Sequence, residues 1–422
     1  MTAPQWNKWK LAHAYPRIGS GTTPTSTQDS YYVNGADEDG IPWITTAELR
    51  ENYIEKTVNC VTAEALKDFS ALRLFKAGSL FVAMYGATIG RLGITIIPAT
   101  CNQACCVFEE SAQFDNRFLF YWLWHRRSDL IALSTGGGQP NLSQRDLREE
   151  RALCPPLETQ RRIARFLDEK TARIDALIEK KRTLLDLLAE KRQALITRAV
   201  TKGLDPTAPM KPSGIDWLGD IPAHWEVLPL SFVAEVVDCK HRTPEYIDSG
   251  IPLVSTTEIK PFFIDYSTKR KVSEREFFLM SEGGRKPKCG DVIYSRNASV
   301  GSAALVRLSA DLCLGQDLCI IRPNSVDPEF LEYFLNSKVA LEQLNGYLVG
   351  ATFKRINVEF IKKYFMIHPP IHEQRKIVSW LSERFAVEET SSKKVVRSVE
   401  LLDDYRAALI TSAVTGKIAE LQ

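Results

Sequence analysis

The chain has 422 residues, with 54 Lys and Arg against 52 Asp and Glu, 44% hydrophobic and 25% charged residues. These are ordinary globular values, and the length allows two to four domains of ~100–200 residues each. They exclude a disordered, fibrous or strongly polycationic protein, and the near-neutral balance means that any acidic partner must be read from where the charge lies.

The N-terminus, MTAPQWNKWK, lacks the apolar core of a secretory signal, and the longest apolar stretch, Leu92 to Phe108, is broken by Thr, Pro, Asn and Gln. The expectation is a cytoplasmic protein with no membrane association. Nine cysteines without a CxxC pair fit buried structural thiols in a reducing compartment rather than a disulfide framework.

In chain order, residues 1–153 mix short β-rich runs such as SLFVAMY (79–85) with a helical stretch, RFLFYWLWHRR (117–127). After the Pro pair 155–156 comes a long segment without Pro or Gly, Glu158 to about Lys202, rich in good helix formers. Ile174, Leu177, Lys181, Leu184, Leu188, Lys191 and Leu195 alternate in spacings of three and four, with Ile178 and Leu185 beside them, which predicts a helix-pairing seam. Residues 204–221 form a Pro- and Gly-rich linker in which Trp217 and Ile221, with Trp225 just beyond, predict docking. Residues 222–367 return to a mixed pattern, with strands DVIYS (291–295) and LCIIRP (318–323) and a helical run, EFLEYFLNSKVALEQL (329–344). A second Pro pair, 369–370, opens a second long helix within 368–422, where Val395, Val399, Leu402, Tyr405 and Leu409 continue the seam.

The second half repeats the first. ALITRAV (194–200) matches ALITSAV (408–414), and CPPLETQRRI (154–163) matches HPPIHEQRKI (368–377), both 214 positions apart with no gap between. GIPWITTAEL (40–49) faces GIPLVSTTEI (250–259), Gly21-Thr22-Thr23-Pro24 faces His241-Arg242-Thr243-Pro244, and Trp6 faces Trp225. A period above 200 residues is a tandem domain duplication, not a solenoid. The expected fold is α/β (α+β): two globular domains, 1–153 and 222–367, alternating with two long helices, 154–203 and 368–422. Helices of ~60 Å exceed a small domain, so they are expected to pair as an antiparallel coiled coil with pseudo-two-fold symmetry. On that view each helix end meets the start of the other helix and the opposite domain, with Ala194/Ala408 and Ala199/Ala413 allowing close approach and Leu195/Leu409 filling the seam.

No catalytic constellation is visible. An adenine methyltransferase motif, [ND]-P-P-[YF], is absent, and GATIGRLG (86–93) lacks the Lys and Ser/Thr of a phosphate loop. Asp168-Glu169-Lys170 and Asp238-Cys239-Lys240 fit the loose nuclease pattern of acid-x-Lys, but neither recurs in the other repeat. The six histidines are scattered. No catalytic or metal residue is assigned. Basic surface is what remains: from Lys260 to Arg296 nine cations face five acids, joined by Lys240-His241-Arg242 and Lys354-Arg355.

The order of parts resembles the specificity (S) subunits of type I restriction–modification enzymes over essentially the full length. The stretches that carry the likeness are SGIDWLGDIPAHWEV (213–227), PPLETQRRIARFLDEKTARID (155–175) and PPIHEQRKIVSWL (369–381), supported by GIPWITTAEL and GGGQPNLSQRDL (136–147). VGATFKRINVEFI (349–361) departs from the usual Asn-Leu-Ser form. The resemblance implies a subunit with no activity and no cofactor of its own. It implies two target recognition domains, each reading a few base pairs of double-stranded DNA, and paired helices acting as a ruler between half-sites. Its partners would be two methyltransferase subunits, which methylate adenine N6 using S-adenosylmethionine, and two restriction subunits, with ATP and Mg belonging to the partners. A stand-alone restriction or modification enzyme and a coiled-coil protein scaffold are the alternatives.

Identical domains about a two-fold would read a palindrome, but residues 50–77 and 260–288 have diverged beyond recognition, so the target is expected to be asymmetric and split. Candidate DNA contacts in the first domain are Thr22, Thr23, Thr45, Thr46, Tyr85, Arg91 and Gln103. In the second they are Lys240, Arg242, Thr256, Thr257, Arg296, Asn297 and Gln316, with Lys269, Arg270 and Lys271 facing phosphates. Arg suits guanine, and Asn or Gln suits adenine, through paired hydrogen bonds in the major groove.

Overall fold

A computed structural model describes residues 6–25, 29–34, 40–132, 141–215, 217–309, 311–348 and 355–421. The chain forms two compact units, Met1–Lys181 with Val396–Gln422, and Arg182–Val395. Both unit boundaries fall inside long helices, Leu157–Lys202 and Ile371–Val414. No helix among the described residues is long and apolar enough to cross a membrane.

In the first unit a five-stranded sheet runs in the order Ile18–Gly19, Cys105–Phe108, Leu80–Ala83, Leu92–Thr95, Asn52–Ile54. Its middle strands are buried on both faces, which is why LFVA and CCVF read as unbroken apolar runs. Alternate residues point opposite ways. Leu80, Val82, Cys106 and Phe108 join a core with the helix Asn116–Ala132, while Phe81, Ala83, Cys105 and Val107 join another with Ile44, Leu49 and Phe75. A second sheet, Tyr32–Asn34, Asn59–Val61, Ile41–Ile44, Thr100–Cys101, covers that side.

The second unit repeats this plan with Ala234–Asp238, Leu318–Pro323, Val292–Ser295 and Ala303–Leu305 as the main sheet. Its smaller sheet keeps the same parallel pairing, Leu253 with Cys313, as Trp43 with Thr100 in the first. The expected helix over 329–344 is two helices, Pro328–Leu335 and Lys338–Leu348. Asn336 interrupts it because its buried side chain bonds both ways to the Ala303 backbone, at 3.1 and 2.8 Å.

Each globular domain is closed by pairing its first strand with its last, Asn7–Lys10 with Arg151–Cys154 and Glu226–Pro229 with Phe365–His368. The following Pro pair turns the chain into a long helix, and a buried glutamine secures the junction. Gln160 accepts from the Asp115 N–H (2.9 Å) and donates to the Pro155 carbonyl (2.8 Å). Gln374 does the same with Asp327 (2.7 Å) and Pro369 (2.8 Å). This explains why PPLETQ and PPIHEQ stay alike.

Within each unit, the start of one long helix runs antiparallel to the end of the other. In the first, Arg162 bonds the Leu421 carbonyl and Asp175 pairs with Arg406; in the second, Arg192 lies over Phe385 while Lys202 and Gly203 flank His372 and Lys376. Ile410, Ala413 and Val414 are buried with Ile163 and Leu167 in the first unit, and Ile196, Ala199 and Val200 with Ile377 and Leu381 in the second. Leu195 and Leu409 pack at the edges of these cores, whereas Ala194 and Ala408 are exposed.

The seam needs one correction. A continuous stripe of buried and half-buried positions runs through 171, 174, 178, 181, 185, 188, 192, 196 and 199 on the first helix, and 374, 378, 381, 385, 388, 392, 395, 399, 402, 406, 409 and 413 on the second, with further buried positions beside it toward the helix ends. Ile174, Leu188, Leu195, Val395, Val399, Leu402 and Leu409 face inward, but Leu177 and Leu184 are 48% and 44% exposed, and Tyr405 is exposed. Both sets step by threes and fours; Ile178, Leu185 and Arg192 occupy the inner phase. In the linker Leu218, Ile221 and Trp225 are buried, but Trp217 is not.

Replacing Ile196 or Ile410 by alanine should lower the stability of the affected unit by roughly 2–5 kcal/mol, as for other buried aliphatic truncations. Leu184→Ala should stay within about 0.5 kcal/mol, as surface changes do. Thermal unfolding followed by circular dichroism checks both; equal losses at Ile196 and Leu184 would contradict this seam phase.

Candidate nucleic-acid interface

The predicted contacts of each domain gather where strand ends and turns meet. In the first domain the Asn102 N–H donates to Ile44 O (3.0 Å) and the Met84 N–H to Ala104 O (2.8 Å), drawing Thr45, Tyr85 and Gln103 together. Thr23 Oγ1 donates to Gln103 Oε1 at 2.6 Å, and Thr22 offers its carbonyl to the Trp43 indole at 3.3 Å. Thr45 and Thr46 are half-buried, and Thr45 is tied by its N–H (2.9 Å) and hydroxyl to Glu48. Tyr85 is exposed.

The second domain builds the same corner. The Gly315 N–H bonds Val254 O (2.7 Å), the Arg296 N–H bonds Asp317 O (2.8 Å), and Gln316 Nε2 donates to Thr243 Oγ1 at 3.0 Å. Ser255 binds Glu258 through its N–H (2.9 Å) and hydroxyl (2.6 Å), as Thr45 binds Glu48. Thr256 accepts from Ser299 Oγ (2.9 Å), and Asn297 donates to Asp317 (3.1 Å). A matched Thr–Gln pair therefore frames both corners.

The loops leading in differ. A Cβ on Gly21 would lie 1.8 Å from the Cys101 carbonyl oxygen, so this backbone approach needs glycine. His241 stands at the aligned position, so the second loop follows another path, with His241 bonded to Asp238 at 3.1 Å.

Most of the predicted cations are already engaged. Arg91 pairs with Glu51 (2.9 Å), Lys240 with Glu282 (2.7 Å), Arg242 with Glu276 (2.7 Å) and Arg270 with Glu258 (3.2 Å) and Thr257 (2.8 Å). Burial pushes Glu258 up, but the hydrogen bonds from Ser255 and Thr257 and the Arg270 charge outweigh it and hold its carboxyl below the usual range. Arg296 is corrected: it is only 3% exposed, lies 2.6 Å from Asp238 beneath the 238–244 loop, and presents nothing to a base. Its Nε has no hydrogen-bond partner, so this pair is electrostatic more than directional. Lys269 and Lys271 instead line an open cleft of about 610 Å³ with Tyr266, Ser267 and Thr268, and no ion pair holds either lysine among the described residues. Lys354 and part of the 136–147 and 349–361 stretches lie outside those residues; Arg355 pairs with Asp317 at 2.9 Å.

The nuclease-like triplets are structural. Asp168 accepts from Tyr121 (2.8 Å) and Tyr53 (3.1 Å) and pairs with Arg117, fastening the central helix to its domain. Burial pushes the Tyr121 phenol up to about 12 and the Cys106 thiol up to about 12, and raises Cys319 well above its ordinary range. Among the described residues no cluster of His, Cys, Asp and Glu is placed to hold a metal. Residues that sequence reading passed over include Gln160, Gln374, Glu51, Arg127, Arg192 and Arg406. Only the glutamines had a clear signal, as identical residues within matched motifs.

Comparison with known proteins agrees with this architecture. Residues 18–186 and 222–396 both match the type I restriction modification DNA specificity domain. The chain is 22% identical over 385 residues to the type I restriction enzyme MjaVIII specificity subunit of Methanocaldococcus jannaschii, covering 89% of this chain and 86% of that one. It is 24% identical over 335 residues to the EcoBI specificity subunit of Escherichia coli, covering 76% and 70%. A solved chain from a study of complex assembly and conformational transition of the type I R-M system superposes with a TM-score of 0.66 at 19% identity, covering 99% of this chain and 100% of that one. Two DNA specificity domains joined through shared long helices define a DNA-recognition component rather than a catalyst. The chain belongs to the specificity subunits of type I restriction–modification systems.

Replacing Lys269 and Lys271 together by alanine should weaken duplex binding without changing sequence preference, flattening the log–log salt slope by up to about 0.9 per lost phosphate contact. Binding titrations at several salt concentrations measure this; an unchanged slope removes both lysines from the interface. Arg296→Ala should destabilise the second unit by roughly 1–3 kcal/mol, since it strands the partly solvated Asp238, and should leave every base preference intact.

Proposed function

We propose that this subunit reads an asymmetric, bipartite DNA target, one half-site per recognition domain, and that the two long helices set the spacer between them. The observation that carries this reading is a repeated frame around unlike readers. The Thr–Gln pairs, the Thr45–Glu48 and Ser255–Glu258 turns and the buried Gln160 and Gln374 recur. Gly21-Thr22 against His241-Arg242 and the 50–77 against 260–288 sequences do not. In this reading the chain acts in the cytoplasm and holds no cofactor. Two methyltransferase subunits dock on it and supply S-adenosylmethionine, and two restriction subunits join with ATP and Mg.

Exchanging residues 222–367 for the matching region of a relative tests the modular part. Mapping methylated adenines in cells carrying the hybrid system should show one half-site changed and the other retained. Loss of both together would contradict separate readers. For the ruler, one heptad inserted in register into each helix, near Leu184 and Ser398, adds ~10 Å at 1.5 Å per residue. With ~3.4 Å per base pair, the preferred spacer should lengthen by roughly two to three base pairs. An insertion variant that binds DNA with its original spacer would show that the helices do not measure the gap.

A further inference from the structure

Arg192 and Arg406 occupy the same place in the two repeats, each two residues ahead of an Ala-Leu-Ile-Thr run and 214 positions apart. Both sit half-buried on the inner stripe of their helices. A charged group there loses hydration and needs compensation from its neighbours, so what surrounds it is informative.

In the second unit the Arg192 guanidinium lies 4.5 Å from the Phe385 ring centre and 5.4 Å from that of Phe262. Tyr333 packs against the Phe262 ring at 5.3 Å and the Phe385 ring at 6.2 Å. Phe262 is not part of either long helix. It follows the Ser255–Glu258 turn by four residues, and its φ of +66° is a left-handed conformation that a bulky residue rarely takes. Its N–H donates to Ala303 O at 3.0 Å.

The first unit has Glu51 at the corresponding backbone position, with φ +57° and its N–H bonded to Leu92 O at 2.8 Å. Glu51 pairs with Arg127, whose guanidinium lies 5.9 Å from the Trp124 ring centre; Arg406 lies 5.4 Å from the same ring. Asp175 and Asp403 complete the partners of Arg406, the latter at 2.6 Å. Different side chains thus build one connection twice: from a strained residue behind the reading corner, through an aromatic ring, to an arginine on the helix that ends in that unit.

We propose that Arg192 and Arg406 are positioning residues that fix the angle at which each recognition domain is seated on its helix ends, and so set how narrowly the subunit discriminates spacer length. The proposal rests on the ruler reading above. A guanidinium stacked on an aromatic face is planar and directional, so it restrains rotation more than an aliphatic contact of equal area does. That restraint matters because one added base pair turns a half-site by about a tenth of a helical turn as well as moving it ~3.4 Å. A domain free to rock would accept neighbouring spacers; one held by this stack would not.

The test is selection of duplexes from a randomised pool by the full chain, which returns half-sites and spacer distribution together. Wild type should show one dominant spacer. In Arg192→Met the half-sites should be unchanged, while the preference for that spacer over its neighbours falls by about three- to tenfold, the range for one lost cation–π contact. Arg192→Lys should restore most of the discrimination. Arg406→Met should give the same broadening, and Phe262→Leu serves if Arg192→Met does not fold. A purely structural role predicts lower thermal stability with an unaltered spacer distribution, and that result overturns the proposal alone. A wild-type chain with no spacer preference overturns the ruler reading and this proposal with it.

Discussion

Both units of this structure depend on the burial of a long helix's end in a core, the second helix's end in a core whose other residues lie more than 200 positions earlier. Ile410, Ala413 and Val414 complete the core beneath the first domain's main sheet, and Ile196, Ala199 and Val200 do so beneath the second's. At roughly 25 cal/mol per Å² of apolar surface, a buried isoleucine and valine contribute several kcal/mol between them before entropy is counted. That is a large share of the margin by which a domain stays folded. The near-identity of the two helix ends follows, since each has to fit the same kind of cavity.

The same constraint separates what can vary from what cannot. Residues that hold domain to helix recur in both halves: the paired first and last strands, the buried glutamines, the Thr–Gln frame. Outside that frame the surface is released from packing, and the two corners have drifted apart in loop path and charge. Carboxylates neutralise several cations near the corners, among them Lys240, Arg242, Arg270 and Arg296, which leaves Lys269 and Lys271 beside the open cleft among the cations without an ion pair in the described residues. A net charge of only +2 leaves no broad positive field, so base-edge contacts rather than general attraction to phosphates would have to carry sequence preference.

The repeat, the domain-to-helix junctions and the helices themselves were legible in the sequence, because proline pairs, long stretches without glycine and matched motifs are local signals. The seam phase was legible only in part. Leu177 and Ile178, or Leu184 and Leu185, are adjacent apolar residues, and spacing alone does not say which of each pair faces in. Arg296 reads as surface because arginine usually is; its partner Asp238 is 58 positions away, and no local pattern announces the pairing. The links through Arg192 and Arg406 were hidden for the same reason, with Phe262, Trp124 and Phe385 distant in sequence and the inner arginines resembling any charge on a helix.

The exchange of helix ends also dictates an order of assembly. During synthesis the first domain emerges complete in its strands, yet the segment that closes its core, 396–422, follows the whole of the second unit. Until residues 396–422 arrive, Ile163 and Leu167 lack the neighbours they have in the finished first unit. The second unit is contiguous from Arg182 to Val395 and can close as soon as it is made. The earlier-made part of this chain is thus completed after the later one, and a chain stopped before residue 396 loses the stability of its first unit.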